Sequence, residues 1–381
     1  MPEEKLLLIP GPSPVVPRIL DALALPTVSH VSPEMARDLK EACENLKKIV
    51  FCDNGEPFIV AGAGTLSMEM ALLNTAGPGD RVLVLSQGYF GDRMAQICQA
   101  FGIDHDVLAC EWGRAVTPRE LDARLKTANY NVVVCTHVDT ATGACAPVEE
   151  YSQVLEKTGS LFIVDGVCAT GGIAERMDAW GIDVVLTGAQ KCLGAPPGLA
   201  LCVFSELAME KRRGLAAIPA YYSDVLRWLP IMHDPLKYFS TPCVNEIRAF
   251  AEATRLVLEE GMEDRFERHD LFAAAIRAGL AALGFSFFTD PSFEASTLSV
   301  VRYPDGVEDK AFRAGLAANG VVVAGGLGPT AGRVFRMGHM GNLTMAQVRF
   351  AVEAVEKTLG ALGHKFKSGT GRAAVDAVLK A

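Results

Sequence analysis

Uninterrupted apolar runs, each closing on a polar residue or a turn, recur through the first two-thirds of the chain. They cover residues 58–60, 82–85 (in the strand that Arg81 opens), 132–135, 161–164, 184–186 and 199–204. Short runs without polar alternation are how strands buried on both faces read, and such strands belong to parallel sheets covered by helices. Helical patterns separate or follow them. Ser32-Pro33-Glu34 is a helix start, with a capping hydroxyl, proline at the first helical position and an acid in the first turn. Residues 66–74 and 245–260 read as helices, the second closed by Gly261. From about Met262 the units shorten: a helix near 269–283, strands near 285–288 and 298–301, a helix near 309–319, a strand leading to Gly338 and a final helix over 344–362. The pattern predicts an α/β protein: a large domain over 21–260 with a mostly parallel sheet, and a smaller C-terminal α/β domain over 261–362.

Three stretches fall outside this scheme. Residues 1–20 read as an N-terminal arm, because LLLIPGPSPVVP is stiffened by prolines that fix their own φ and keep the preceding residue extended. Residues 211–241 look loop-like and aromatic. Residues 363–381 carry enough glycine and serine to be a flexible or loosely docked tail.

Composition narrows the function. A chain of 381 residues with 50% hydrophobic content supports a sizeable core, and its net charge of -9 and pI near 5.4 argue against general nucleic-acid binding. Ten cysteines without a C-x-x-C pair read as small buried hydrophobes of a reduced cytosol. The acidic start MPEEKLLLIPG is not a signal peptide, and no apolar run reaches membrane-spanning length. The expectation is a soluble cytoplasmic protein with no membrane or nucleic-acid partner.

The stretch LFIVDGVCATGG…TGAQKCLGAPPG carries the chemistry. Asp165 ends one buried run, and Lys191 follows the next after Thr187-Gly188-Ala189-Gln190. Parallel strands aim their carboxyl ends at a shared crevice, so an acid and a lysine there can meet one ligand from two sides. A dry site disfavours an ammonium and frees an amine to attack an aldehyde. Upstream, Ala61-Gly62-Ala63-Gly64-Thr65 opens a helix, where exposed N–H groups suit a phosphate. A dinucleotide site is the rival, but the G-x-G-x-x-G frame from Gly62 meets Ser67 instead of its third glycine. Near the C-terminus, VFRMGHMG offers Arg336, a planar guanidinium suited to a carboxylate, with Arg333 as rival. His137 has no second ligand at zinc spacing, and His30 and His339 read as structural; no metal is expected.

Together these motifs resemble the class V, fold type I aminotransferases that use pyridoxal phosphate, especially the alanine–glyoxylate and serine–pyruvate branch. The resemblance spans about residues 5–360. It implies Asp165 on the pyridine nitrogen, Lys191 as the Schiff-base lysine and proton carrier, and Gln190 beside the phosphate. It further implies a phosphate cup of Ala63, Gly64 and Thr65, Phe90 of Gln87-Gly88-Tyr89-Phe90-Gly91 stacked on the ring, and Thr140 near the phenolic oxygen. Arg336 takes the substrate carboxylate, and Tyr238 and Thr241 reach the cofactor of the partner in a homodimer. Gly166 and Ala189 stand where the family often has serine, and Asp139 where it has glutamate. The implied activity is ping-pong transfer of an amino group from alanine or serine to glyoxylate or pyruvate, with an aspartate aminotransferase as the alternative. A cysteine desulfurase needs a mobile cysteine toward the small domain, yet none follows Cys243. A nicotinamide-dependent dehydrogenase, the reading from a different class, leaves Asp165 and Lys191 unexplained.

Overall fold

The six apolar runs lie side by side in one seven-stranded sheet, and a seventh strand that the pattern does not mark completes its edge. The computed structural model describes residues 5–380, so residues 1–4 of the arm and Ala381 of the tail lie outside it. The chain begins with β1 (Leu6–Leu7), α1 (Pro17–Leu23), α2 (Pro33–Ile49), β2 (Glu56–Ala61), α3 (Gly64–Thr75), β3 (Arg81–Ser86) and α4 (Tyr89–Ala100). It continues through β4 (Asp104–Ala109), α5 (Pro118–Leu125), β5 (Val132–Thr136), α6 (Val148–Leu155), β6 (Leu161–Asp165), β7 (Val184–Gly188) and β8 (Leu199–Phe204). Helices α7 (Glu206–Gly214), α8 (Val225–His233), α9 (Val244–Glu260) and α10 (Met262–Ala282) follow. The remainder is β9 (Ser286–Phe287), β10 (Leu298–Arg302), α11 (Asp309–Ala318), β11 (Val321–Val322), β12 (Ala324–Gly325), β13 (Val334–Gly338), α12 (Met345–Ala361) and α13 (Thr370–Val378).

The large sheet has the order β2-β8-β7-β6-β5-β3-β4. Strand β8 is antiparallel to both of its neighbours, and all other pairings are parallel, so every strand but β8 ends at the same edge. Chain order reverses between β5 and β3, which opens a crevice at their carboxyl ends. Strands β5, β6, β7 and β8 are buried throughout, which explains their unbroken apolar sequences. The unmarked strand β4 reads DHDVLA and is largely solvent-facing at the edge, so charge rather than hydrophobicity dominates its pattern. Ser32 caps α2 through the Met35 N–H, as its sequence predicts.

A second sheet, β12-β13-β10-β9, is antiparallel and packs its apolar face under α10, α11 and α12 around Phe285, Phe312 and Phe335. The arm is not a free linker: β1 pairs in parallel with β11. Gly261, at φ 88°, breaks one long helical run into α9 and α10, so α10 begins seven residues before the expected 269.

Two expectations need correction. The loop-like 211–241 segment contains α8, whose Asp224 side chain accepts from the Leu226 N–H and pairs with buried Arg212. The aromatic residues that made it look irregular are partly core: Trp228 is fully buried and its indole N–H donates to the Tyr222 carbonyl. The 363–381 tail carries α13, which docks Val375 against α10 at Gly279; a Cβ there would lie 2.8 Å from Val375. Arg349 on α12 bonds Asp376 at 2.7 Å. Glycine and serine content marked a flexible segment, but one small residue on α10 makes room for a helix.

Buried Arg265 on α10 joins the two sheets. Its Nε donates to the Gly171 carbonyl at 2.8 Å and its Nη2 to the Cys192 carbonyl at 2.6 Å, with Glu260 as ionic partner. Arg265→Leu leaves two buried carbonyls without donors and a carboxylate with one partner fewer, a cost of about 3 kcal/mol. A urea melt should show a clearly lowered midpoint; an unchanged midpoint contradicts the bracing role.

Candidate active site

Each parallel strand of the crevice hands over a polar group where its hydrogen-bond ladder stops. Strand β6 ends at Asp165, which is 1% exposed. Its Oδ1 accepts from the Val167 N–H at 3.0 Å, and its Oδ2 faces the Thr136 hydroxyl at 3.4 Å. Burial pushes this carboxyl up to about 7, with Asp139 and Glu175 adding to the shift and the two hydrogen bonds opposing it. A carboxylate so short of partners is suited to a cationic ring nitrogen, which would return the charge that burial disfavours.

Strand β7 ends at Gly188, and the following turn delivers Gln190 and Lys191. Lys191 is 9% exposed, and its Nζ donates to the Pro10 carbonyl of the arm. Gly11, at φ 86°, passes so close that a Cβ would lie 2.8 Å from Nζ. Ser13 fixes the same turn, its hydroxyl bonding the Lys191 carbonyl at 2.7 Å and its N–H the Gln190 carbonyl at 2.9 Å. The arm therefore holds the lysine in place with the Pro10 carbonyl and with the hydroxyl and N–H of Ser13.

At the start of α3, the Gly64 and Thr65 N–H groups donate to no protein acceptor among the described residues. The buried Gln190 Oε1 has no partner, and a Cβ added at Gly188 would meet both it, at 2.9 Å, and Gly64 N, at 3.5 Å. Arg93 Nη1 reaches the Thr65 hydroxyl at 3.3 Å. Free helix N–H groups, an amide able to present its NH₂ after a flip, and a guanidinium together fit a phosphate. Ala63 supplies the extended residue from which α3 starts.

Asp139 closes the switch-point side. It accepts from the Phe90 and Ala141 N–H groups, both at 2.8 Å, and from Thr142 at 3.2 Å. Burial raises this carboxyl too, and those N–H groups restrain the rise. The bracket ties the start of α4 to the loop after β5 and so orients Phe90, whose ring carries the Arg93 guanidinium at 4.6 Å on one face. Thr140 is buried, with its hydroxyl 2.9 Å from the Cys168 thiol. Arg336, on β13, crosses from the second sheet. Its Nε donates to the Gly325 carbonyl at 2.8 Å and its Nη1 to the Thr140 carbonyl at 3.3 Å. Burial pulls its pKa down, and among the described residues no carboxylate pairs with it.

Asp165, Gln190, Lys191, Thr140 and Arg336 thus gather at the strand ends with the α3 start and Phe90. Tyr238 and Thr241 do not: both are exposed, Tyr238 65% so, and Tyr238 stacks near His30. The rival Arg333 is exposed in a neighbouring cleft with Arg114 and Arg302. His339 is a packed residue, its Nδ1 bonding the Ser296 carbonyl and its Nε2 the Ser299 hydroxyl, and burial lowers its pKa to about 3. Sequence reasoning missed Arg93, Glu175 and the bracketing use of Asp139. Arg93 had a signal, since three residues after Phe90 on a helix share its face; Glu175 had none, because a lone acid in a turn looks like a solvated residue. Among the described residues no helix is long and apolar enough to cross a membrane.

The aminotransferase class-V family model matches residues 18–362. The chain is 38% identical over 380 residues to an uncharacterised aminotransferase of Methanocaldococcus jannaschii, covering 99% of this chain and 98% of the relative. It is 33% identical to the L-aspartate–glyoxylate aminotransferase of Paracoccus denitrificans, covering 98% and 96%. The solved structure of the Bacillus subtilis ureidoglycine–glyoxylate aminotransferase superposes with a TM-score of 0.96 at 29% identity, covering 100% and 99%. The chain belongs to the class-V aminotransferases, fold type I enzymes whose cofactor is pyridoxal phosphate.

Proposed function

We propose that this aminotransferase moves an amino group from a small amino acid, alanine or serine, to glyoxylate, in two half-reactions that use one site in turn. The observation that carries this reading is Arg336, a half-buried guanidinium whose donors meet only main-chain carbonyls beside Thr140. One such group orients one α-carboxylate through parallel hydrogen bonds and needs no second cation for a short side chain. Glyoxylate is the acceptor named for both the Paracoccus and the Bacillus relatives, whose donors differ. A second reading, with aspartate as donor, is supported by the name of the Paracoccus relative.

When bound, pyridoxal phosphate supplies a carbonyl that condenses with amines and a ring that withdraws electrons from the substrate Cα. The chain's own groups do the rest. Arg336 fixes the carboxylate and with it the direction of the Cα–H bond. The Lys191 amine, steered by Pro10 and Gly11, takes that proton and returns it one step later as general base and acid. Asp165 holds the proton on the ring nitrogen. Gly64, Thr65 and Gln190 would anchor the phosphate, and Phe90 would lie against the ring. Pyruvate as alternative acceptor differs from glyoxylate by one methyl group, a difference that a pocket discriminates weakly.

We further propose a homodimer in which the exposed Tyr238 and Thr241 complete the partner's phosphate site. Their exposure on a single chain, away from buried Lys191, supports the reading, as does the exposure of Leu236 and Tyr221 in the same segment.

Three outcomes are expected. Alanine or serine, added to the cofactor-loaded protein without acceptor, should change its visible absorbance and release the matching oxo acid; glyoxylate should reverse the change, and Lys191→Ala should do neither. Aspartate acting alone would replace the leading donor assignment with the second reading. Arg336→Met should lower kcat/KM by a factor of about 100 to 1,000, mainly through KM; an unchanged KM removes Arg336 from the carboxylate. Finally, Lys191→Ala and the double variant Tyr238→Phe/Thr241→Val should each be impaired alone. Random exchange of their subunits should restore about a quarter of wild-type activity, because one site in each mixed dimer is intact. No recovery on mixing would place both residues in their own chain's site.

A further inference from the structure

Directly after Asp165 the chain has Gly166, and the space where a side chain would stand there is already filled. A Cβ on Gly166 would lie 2.7 Å from Glu175 Oε2 and would also meet Glu175 Oε1 and the Thr170 hydroxyl. Glu175 is 1% exposed and fully engaged. Its Oε1 is 2.8 Å from His137 Nδ1, and its Oε2 accepts from Thr170 at 2.6 Å. His137, 3% exposed, continues the β5–β6 ladder by donating its main-chain N–H to the Asp165 carbonyl at 2.9 Å. A buried acid–histidine pair therefore sits against the residue assigned to the ring nitrogen, and the proposed reaction gives it no task.

We propose that Glu175 and His137 form a positioning pair that sets the charge of Asp165: Glu175 fills the space left by Gly166 and fixes the loop after β6, and protonated His137 cancels its charge. A bare carboxylate in that place would favour a protonated Asp165, which cannot hold a ring-nitrogen proton. Paired with an imidazolium, the same carboxylate keeps its geometry and loses most of its field. Burial alone would deprotonate His137, but the Glu175 carboxylate 2.8 Å away favours the imidazolium and holds its pKa up. The other groups bearing on Asp165 are Asp139 from the loop after β5, which raises it, and the Thr136 hydroxyl and Val167 N–H, which lower it; the Cys135 thiol also lies within its field. The missing serine at 166 and the acid at 175 are thus two halves of one arrangement.

The inference rests on the assignment of Asp165 to the ring nitrogen, and its test reads cofactor binding by apoprotein rather than turnover. Binding favours ionised Asp165, so affinity for pyridoxal phosphate should fall as pH drops through about 7, the value to which burial raises that carboxyl. Fluorescence titrations across pH give the midpoint of this acid limb. His137→Asn leaves Glu175 uncompensated and should move the midpoint up by about one pH unit. Glu175→Gln removes the carboxylate that keeps His137 protonated, so both charges go together and the midpoint should stay near the wild-type position. The double variant His137→Asn/Glu175→Gln, with both charges gone, should return it to near the wild-type position. If all three variants melt at lower temperature but keep the wild-type midpoint, the pair is only structural and the proposal falls. If the wild-type protein itself has no acid limb, the assignment of Asp165 falls with it.

Discussion

The turn that carries Lys191 is gripped from two sides by groups that are distant in sequence. Ser13 and Pro10 of the arm bond the Gln190 carbonyl, the Lys191 carbonyl and the Lys191 amine. Arg265 of α10 bonds the carbonyl of the very next residue, Cys192. A buried turn outside a regular ladder must find partners for its main-chain groups or lose free energy. Here those partners come from the β1 arm and from the helix that follows Gly261. Their need for satisfaction locates the arm, the second sheet and the crevice relative to one another. Arg336 reaches the Thr140 carbonyl only because β13 is held in that position.

The crevice is also a place where charge is buried on purpose. Asp165, Asp139 and Glu175 are carboxyls with almost no exposure, and Asp165 lies within the field of the other two. Three such groups would be costly if each were treated alone. The chain handles them differently. Asp139 is satisfied by three main-chain N–H groups and becomes a bracket. Glu175 is paired with His137 and Thr170. Asp165 is left with one N–H and one distant hydroxyl, so it alone retains unmet demand for a cation. The same contrast separates the arginines: Arg265 is saturated by an acid and carbonyls, whereas Arg336 has only carbonyls. Unmet hydrogen-bonding capacity, rather than residue type, marks the groups available for chemistry.

Much of the fold could be read from the chain because buried parallel strands are apolar on both faces, so the runs ending at Thr136, Asp165 and Gly188 stand out against any background. The strand ends also announce where polar residues emerge, which is why Asp165 and Lys191 could be singled out. Strand β4 was invisible for the converse reason: an edge strand facing solvent has no apolar signature. Helix α13 was missed because its stability comes from packing at Gly279, a property of α10 and not of its own residues.

By itself the sequence determined what depends on local order: the strand–turn–helix rhythm, the caps such as Ser32, the break at Gly261, and the acid and lysine that terminate adjacent strands. Only the tertiary structure decided what depends on partners far apart in the chain. It made the proline-rich arm the clamp on Lys191, turned Asp139 into a loop bracket, put Arg93 over Phe90 and beside Thr65, and set Glu175 in the space above Gly166. The physical reason is that a buried polar group is defined by what satisfies it. For this protein those satisfying groups lie far away in the chain, 181 positions in the case of Pro10 and Lys191, a separation that no local pattern records.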